Sequence, residues 1–126
     1  MEKQIINTSN APAPIGPYNQ AVRTGNFLFV SGQIPLDAAS GELITSGIQD
    51  ETEKVMQNLQ AILKEAGMNF SNVVKSTIFV TDMGQFVRIN EVYGKYFPEN
   101  APARETVQVA ALPKGVHVEI SVIAVQ

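Results

Sequence analysis

The 126-residue chain contains no cysteine and no tryptophan, and it has a single histidine. The absence of cysteine excludes disulfide bridges, thiolate nucleophiles and cysteine-based zinc sites, and one histidine makes a histidine-based metal site improbable. Nine basic residues against twelve acidic ones give a net charge of −3, so no basic surplus is available to neutralise a phosphate backbone. We therefore expect neither a metal centre nor a nucleic-acid partner.

Long apolar runs are also absent. No stretch approaches the roughly 20 apolar residues that a membrane-spanning helix needs, and residues 1–10 lack the apolar core of a signal peptide. These features predict a cytoplasmic protein that does not contact a membrane. The length lies near the commonest domain size, which predicts a single domain over residues 1–126.

The pattern of apolar residues predicts seven regular elements. The proline-rich segment 11–17 must be an irregular loop, because proline excludes helix and sheet interiors. Gly25-Asn26 indicates a hairpin turn, Gly32 ends its second strand, and Gly67 ends the first helix. The predicted elements are strands 20–24 and 27–31, a helix from Asp50 to Ala66, strand 73–81, a helix capped by Asp82, and strands 104–111 and 116–125.

This order predicts an α+β fold in which two helices cover one face of a mixed sheet. The second face also carries apolar residues, because Phe79, Ile123 and Val125 have the opposite strand parity from Ile78 and Val122. An isolated subunit would then expose a large apolar patch. Self-association is the simplest way to cover it.

Two charged residues stand out on otherwise apolar strands. Arg104 begins a strand, where its planar guanidinium could hold a carboxylate through two parallel hydrogen bonds. From position alone, a structural ion pair with Glu105, Glu119 or another carboxylate is the more common role of such an arginine. Glu119 lies in an apolar run, so burial would raise its pKa and suit it to activating water, although a solvated edge-strand position is as consistent with the pattern.

Other candidates are weaker from position alone. The sequence has no phosphate-binding, dinucleotide-binding or serine-hydrolase motif. His117 has no second ligand or nucleophile at a useful spacing, so we expect a surface histidine. Tyr18 and Asn90 could hydrogen-bond a ligand, but such residues more often serve in packing or capping.

Residues 13–21, APIGPYNQA, and residues 30–35, VSGQIP, resemble signatures of the YjgF/RidA family. The match continues in register from about Ile6 to the C-terminus through Asn90-Glu91-Val92-Tyr93, Pro102-Ala103-Arg104 and Val118-Glu119-Ile120. The resemblance implies a chorismate-mutase-like domain assembled as a homotrimer, with ligand clefts between neighbouring subunits.

The resemblance also implies an activity, which is hydrolytic deamination of reactive 2-imino acids to 2-oxo acids and ammonia without a cofactor. It implies that Arg104 binds the substrate carboxylate and that Glu119 positions water. The further substrate-binding positions that it implies are Tyr18, Gly32 and Asn90.

One position departs from the family pattern. Many members have Arg-Ser-Cys where this chain has Arg104-Glu105-Thr106, so no thiol can act there, although Thr106 keeps the backbone groups that contact substrate. A rival interpretation is a regulatory trimer that binds 2-oxo acids or related metabolites without turnover. An endoribonuclease activity, attributed to some members, is disfavoured by the acidic composition.

Overall fold

A computed structural model describes residues 2–126, which form a six-stranded sheet and two α-helices. The strands are β1 Gln4–Ile6, β2 Ala21–Thr24, β3 Phe27–Gln33, β4 Val73–Val80, β5 Ala103–Gln108 and β6 Val118–Val125, and the helices are α1 Ile48–Glu65 and α2 Phe86–Tyr93. The strand order is β1-β2-β3-β6-β4-β5. Only β4 and β5 pair in parallel. The predicted α+β class and mixed sheet are confirmed.

The core lies between the helices and one face of the sheet. Along β6, Val118, Ile120, Val122 and Ala124 are all buried, as their alternation predicts. The facing residues of α1, spaced three and four apart, are also fully buried, and they are Val55, Met56, Leu59, Ile62 and Leu63. Burying each of these large aliphatic side chains stabilises the fold by about 1.5–3 kcal/mol.

Helix α1 ends as predicted but begins earlier. Gly67 has a φ of 75°, and the Met68 N–H donates to the Leu63 carbonyl at 2.8 Å, which closes the helix through a left-handed residue. The predicted start of the helix at Asp50 is wrong, because the helix begins at Ile48 and no side chain caps it. Asp50 instead accepts a hydrogen bond from Ser46 Oγ at 2.7 Å.

The strands differ from the predicted ones at their ends. Strand β1 was not predicted, and β5 and β6 are shorter than expected. The prediction that Gly32 ends its strand is wrong, since β3 continues to Gln33. The pairing of β3 with β6 shifts register between Val30 and Gln33. This irregularity accommodates Gly32 within the strand.

The sheet face away from the helices, here called the open face, is apolar and partly exposed. Phe27 and Phe29 are 48% and 44% exposed, and their stacked rings lie 6.1 Å apart between centroids. Strand pairing aligns Phe29 with Ile123, and Phe27 with Val125. The structure thus has the second apolar face that the strand parity predicts.

Neither α-helix is long and apolar enough to cross a membrane.

We expect this face to be covered by further copies of the chain. Sedimentation equilibrium at micromolar concentration should give three times the 13.7 kDa mass of one chain. Replacing Phe29 by lysine should shift the distribution toward smaller species, because a charge would then be buried at the contact. A monomer mass for the unmodified protein would contradict the expectation.

Candidate functional site

Arg104 lies at the edge of the sheet under α2. The β4–β5 register pairs it with buried Ser76, which places its side chain on the helix-covered face. Arg104 Nη1 donates to Asn90 Oδ1 at 2.8 Å. Its guanidinium carbon lies 5.4 Å from the Phe86 ring centroid and 5.1 Å from that of Tyr93. Helix α2 therefore supplies every one of these side-chain contacts.

No carboxylate neutralises Arg104 within residues 2–126. The ion pairs of this part of the chain are Lys54–Asp37, Lys75–Glu105 and His117–Glu51. Glu105 lies on the open face, where it contacts Lys75 Nζ at 3.2 Å and accepts a hydrogen bond from Thr77 Oγ1 at 2.8 Å. The structural ion pair considered for Arg104 is therefore not observed, and its guanidinium can receive an external anion.

Thr106 follows two residues later on the same face as Arg104, paired in register with Ile78. Its hydroxyl oxygen is buried and has no hydrogen-bond partner among the described residues. Strand β5 is the last strand of the sheet, so half of its backbone groups face away from β4. These outward groups are the ones that a ligand beside Arg104 could reach. We call Arg104, Asn90 and Thr106 the helix-face half-site.

Glu119 points to the open face, because it lies between fully buried Val118 and Ile120 and pairs in register with Phe79. Its carboxylate packs over Gly32, where a Cβ atom would lie 2.6 Å from Glu119 Oε2 and 2.7 Å from Cδ. A side chain at position 32 would therefore displace the Glu119 carboxylate from this position. Burial raises the pKa of the Glu119 carboxyl above its ordinary value.

Tyr18 joins Gly32 in lining a small cavity of about 40 Å³, and it also borders a groove together with Phe29 and Ile123 of the open face. The tyrosine is half exposed, and Ile15, Ile34 and Lys114 are among the other residues that line the cavity. A left-handed turn holds the Lys114 backbone at a φ of 58°. We call Tyr18, Gly32 and Glu119 the open-face half-site.

The structure thus divides the candidate residues into two groups. Each group is assembled by local contacts, but the sheet itself separates the helix-face half-site from the open-face half-site. Side chains on opposite faces of one sheet cannot contact the same small ligand. For Arg104 and Glu119 to contact one small ligand, they would have to come from two copies of the chain.

His117 takes part in a contact that the sequence analysis missed. Its ring is exposed, and Nδ1 lies 2.7 Å from Oε2 of the buried Glu51 carboxylate. The His117 backbone N–H donates to the other oxygen of Glu51 at 3.0 Å. This carboxylate joins α1 to the start of β6. Helical spacing could have identified it, because Glu51 precedes buried Val55 by four residues.

Comparison with known proteins assigns the chain to a family. A family model described as Endoribonuclease L-PSP matches residues 8–126. A 2-iminobutanoate/2-iminopropanoate deaminase from mouse is 48% identical over 124 residues, covering 98% of this chain and 92% of the mouse protein. The chain belongs to the YjgF/RidA family. The family predicted from the sequence motifs is confirmed.

Other YjgF/RidA relatives carry different names. A RutC family protein from Pyrococcus horikoshii is 50% identical over 122 residues, covering 97% of each chain. The crystal structure of E. coli TdcF with bound serine superposes with a TM-score of 0.94 at 43% identity, covering 98% of each chain. RidA from Psychrobacter also gives a TM-score of 0.94. The fold is the chorismate-mutase-like fold of these proteins.

The raised pKa of Glu119 predicts a pH-dependent effect on stability. Folding favours protonated Glu119, so its contribution is fully present below the unfolded-state pKa and is lost as the pH rises through the folded-state pKa. Glutamine has no ionised form. We therefore expect Glu119→Gln to raise the thermal unfolding midpoint more at pH 7 than at pH 3.5.

The matched control is Glu65→Gln, the same change at an exposed carboxyl at the end of α1. The difference in thermal unfolding midpoint between Glu65→Gln and the unmodified protein should be the same at pH 7 and at pH 3.5. If the Glu119→Gln difference is also independent of pH, the carboxyl is not desolvated in the folded protein.

Proposed function

We propose that this protein hydrolyses 2-imino acids to 2-oxo acids and ammonia, at sites formed between the subunits of a homotrimer. The observation that carries the proposal is the pair of half-sites. In one half-site the Arg104 guanidinium has no carboxylate partner among residues 2–126. In the other, the desolvated Glu119 carboxyl packs against Gly32. The naming of the mouse relative as a deaminase and the serine bound to TdcF support it.

Arg104 would bind the carboxylate that every 2-imino acid carries. A guanidinium donates two parallel hydrogen bonds to a carboxylate, which fixes both the position and the plane of the substrate. Asn90 already occupies one Nη1 hydrogen, so the remaining donors stay available. Holding the carboxylate in this way sets the adjacent imine carbon at a defined distance from the half-site of the neighbouring subunit.

Glu119 of that neighbour would position and deprotonate the attacking water. The water oxygen forms a bond to the carbon of the protonated imine while the C=N π electrons move to nitrogen and Glu119 accepts a water proton, which gives a tetrahedral aminoalcohol. Glu119 returns this proton to nitrogen, the C–N bond breaks as the C=O bond forms, ammonia leaves, and the hydroxyl proton passes to solvent. A carboxyl whose pKa is raised toward neutrality is suited to accept this proton and return it.

This chemistry needs no covalent nucleophile and no cofactor, because a protonated imine already reacts with water. The enzyme contributes positioning and proton transfer. Suitable substrates are the unstable imines released by pyridoxal-phosphate-dependent dehydratases.

A second candidate is a regulatory trimer that binds 2-oxo acids without turnover. The unoccupied donors of the Arg104 guanidinium favour this candidate, because they can bind the carboxylate of a 2-oxo acid without any reaction. Glu119 separates the two candidates, since binding alone does not require a group that activates water. An endoribonuclease is disfavoured, because the net charge is −3 and the single histidine is engaged by Glu51.

A coupled assay tests hydrolysis. Added to threonine dehydratase, the protein should speed the loss of the released imine relative to a reaction without it. Glu119→Gln should lower this rate by about 10²–10⁴-fold, the usual contribution of general acid–base catalysis, while 2-oxobutanoate binding changes little. Glu65→Gln should retain the full rate. Unimpaired turnover by Glu119→Gln would remove Glu119 from the mechanism.

Arg104→Lys tests the carboxylate fork. Lysine keeps the positive charge but lacks the planar two-pronged geometry, so the folded trimer should lose about 10- to 100-fold in kcat/KM, equivalent to about 1.5–3 kcal/mol. Arg88→Lys, at an exposed position of the same helix that holds Asn90, should have no effect. Near-normal hydrolysis by Arg104→Lys would mean that the carboxylate is held elsewhere.

A further inference from the structure

The Arg104 guanidinium is held by more than its hydrogen bond to Asn90. The rings of Tyr93 and Phe86 lie 5.1 and 5.4 Å from the guanidinium carbon, within the range of cation–π attraction. Both rings come from α2, and Asn90 lies between them in sequence. Three side chains of one short helix therefore converge on a single cation.

Tyr93 is itself fixed at its far end. It is only 5% exposed, and its hydroxyl donates to Ser76 Oγ at 2.9 Å. Ser76 is fully buried and is the residue of β4 that pairs in register with Arg104 on β5. Strand pairing and the Tyr93 side chain thus connect Ser76 and Arg104 by two independent routes.

We propose that Tyr93 is a positioning residue that holds the Arg104 guanidinium in its binding orientation before the substrate arrives, with Phe86 assisting. The proposal rests on the function proposed for Arg104 as the carboxylate-binding group. Arginine has many rotamers, and ordering them during binding would weaken affinity. The two rings and Asn90 order them beforehand, while Nε and Nη2 remain unbound by any residue in 2–126.

A purely structural role for Tyr93 makes a different prediction. Its ring also packs against Phe97, at 4.8 Å between centroids, so its loss would lower stability whatever it does for Arg104. Tyr96 provides a matched control, because it belongs to the same aromatic cluster through Phe70, at 5.0 Å, but does not contact Arg104. The series is therefore Tyr93→Leu, Tyr93→Phe and Tyr96→Leu.

Binding of 2-oxobutanoate by calorimetry and steady-state imine hydrolysis give the first readout. Tyr93→Leu should raise Kd and KM by about 2- to 30-fold, the range that corresponds to loss of one cation–π contact, with kcat nearly unchanged. Tyr93→Phe keeps the ring and should restore Kd even though Ser76 loses its partner. Tyr96→Leu should lower the melting temperature without changing Kd.

The Arg104 Nε–H resonance, assigned by its loss in Arg104→Lys, gives a readout that needs no activity. Ring currents should shift it in the unmodified protein and in Tyr93→Phe, and Tyr93→Leu should move it toward the value of a free arginine. If the unmodified protein neither binds nor hydrolyses, the proposed function fails, and this resonance alone decides whether Tyr93 holds Arg104.

The inference is overturned if folded Tyr93→Leu leaves both Kd and the Arg104 resonance unchanged, or if Tyr96→Leu alters them equally. If Tyr93→Leu does not fold, Phe86→Leu takes its place, because Phe86 is less buried and makes the second ring contact. If the Arg104 Nε–H resonance of Phe86→Leu has the same position as in the unmodified protein, the inference is overturned as well.

Discussion

The alternation of side chains along a β-strand determines where the two charged candidate groups of this protein, Arg104 and Glu119, lie. It turns Arg104 toward α2 and Glu119 toward the open face, and no change of rotamer can carry either side chain through the sheet. The proposed carboxylate-binding group and the proposed water-activating group thus lie on opposite sides of one sheet. Under the proposed mechanism, assembly is a condition of catalysis, because only a boundary between copies brings the two groups together.

The same open face has two features that disfavour an isolated chain. It exposes Phe27 and Phe29 to water, and it holds Glu119 without a hydrogen-bond donor among the described residues. Covering the aromatic rings gains hydrophobic stabilisation. Under the proposed mechanism the same contact would also bring Arg104 of a neighbouring copy to the ligand beside Glu119. Desolvation, which raises the pKa of the carboxyl, and a nearby positive charge, which lowers it, would then act in opposite directions. Stability and activity would then depend on one contact.

Sequence periodicity predicted the parts of the fold that depend on local pattern. The buried residues of β6 and α1 follow alternation and helical spacing, and Gly67 ends α1 because a left-handed residue is needed there. Strand β1 escaped prediction because it has three residues, of which only Ile6 is buried. The predicted start of α1 at Asp50 was wrong, because Asp50 bonds to Ser46 and caps no backbone group.

The candidate site was less accessible to pattern alone. Spacing identified Arg104 and Glu119 as candidates. It could not exclude a structural ion pair for Arg104 or a solvated edge-strand position for Glu119. Their proposed partners Tyr18, Gly32 and Asn90 came from the family resemblance. Gly32 and Glu119 lie on the paired strands β3 and β6, which are far apart in sequence and shift register between Val30 and Gln33, so no local signal encodes their contact. The ring of Tyr93 near Arg104 is likewise a product of tertiary packing.

The Glu105-Thr106 pair, where this chain departs from its family, acts on different parts of the molecule. If Glu105 lay on the face of Arg104, it would neutralise the guanidinium and compete with a substrate carboxylate. Strand alternation sends it instead to Thr77 and Lys75, which hold its pKa below the usual range. Its charge is therefore compensated on the open face, where a neighbouring copy would pack, and Arg104 keeps its full capacity for an external carboxylate. Of the two residues, only Thr106 lies on the face of Arg104, where it could contact a ligand bound there.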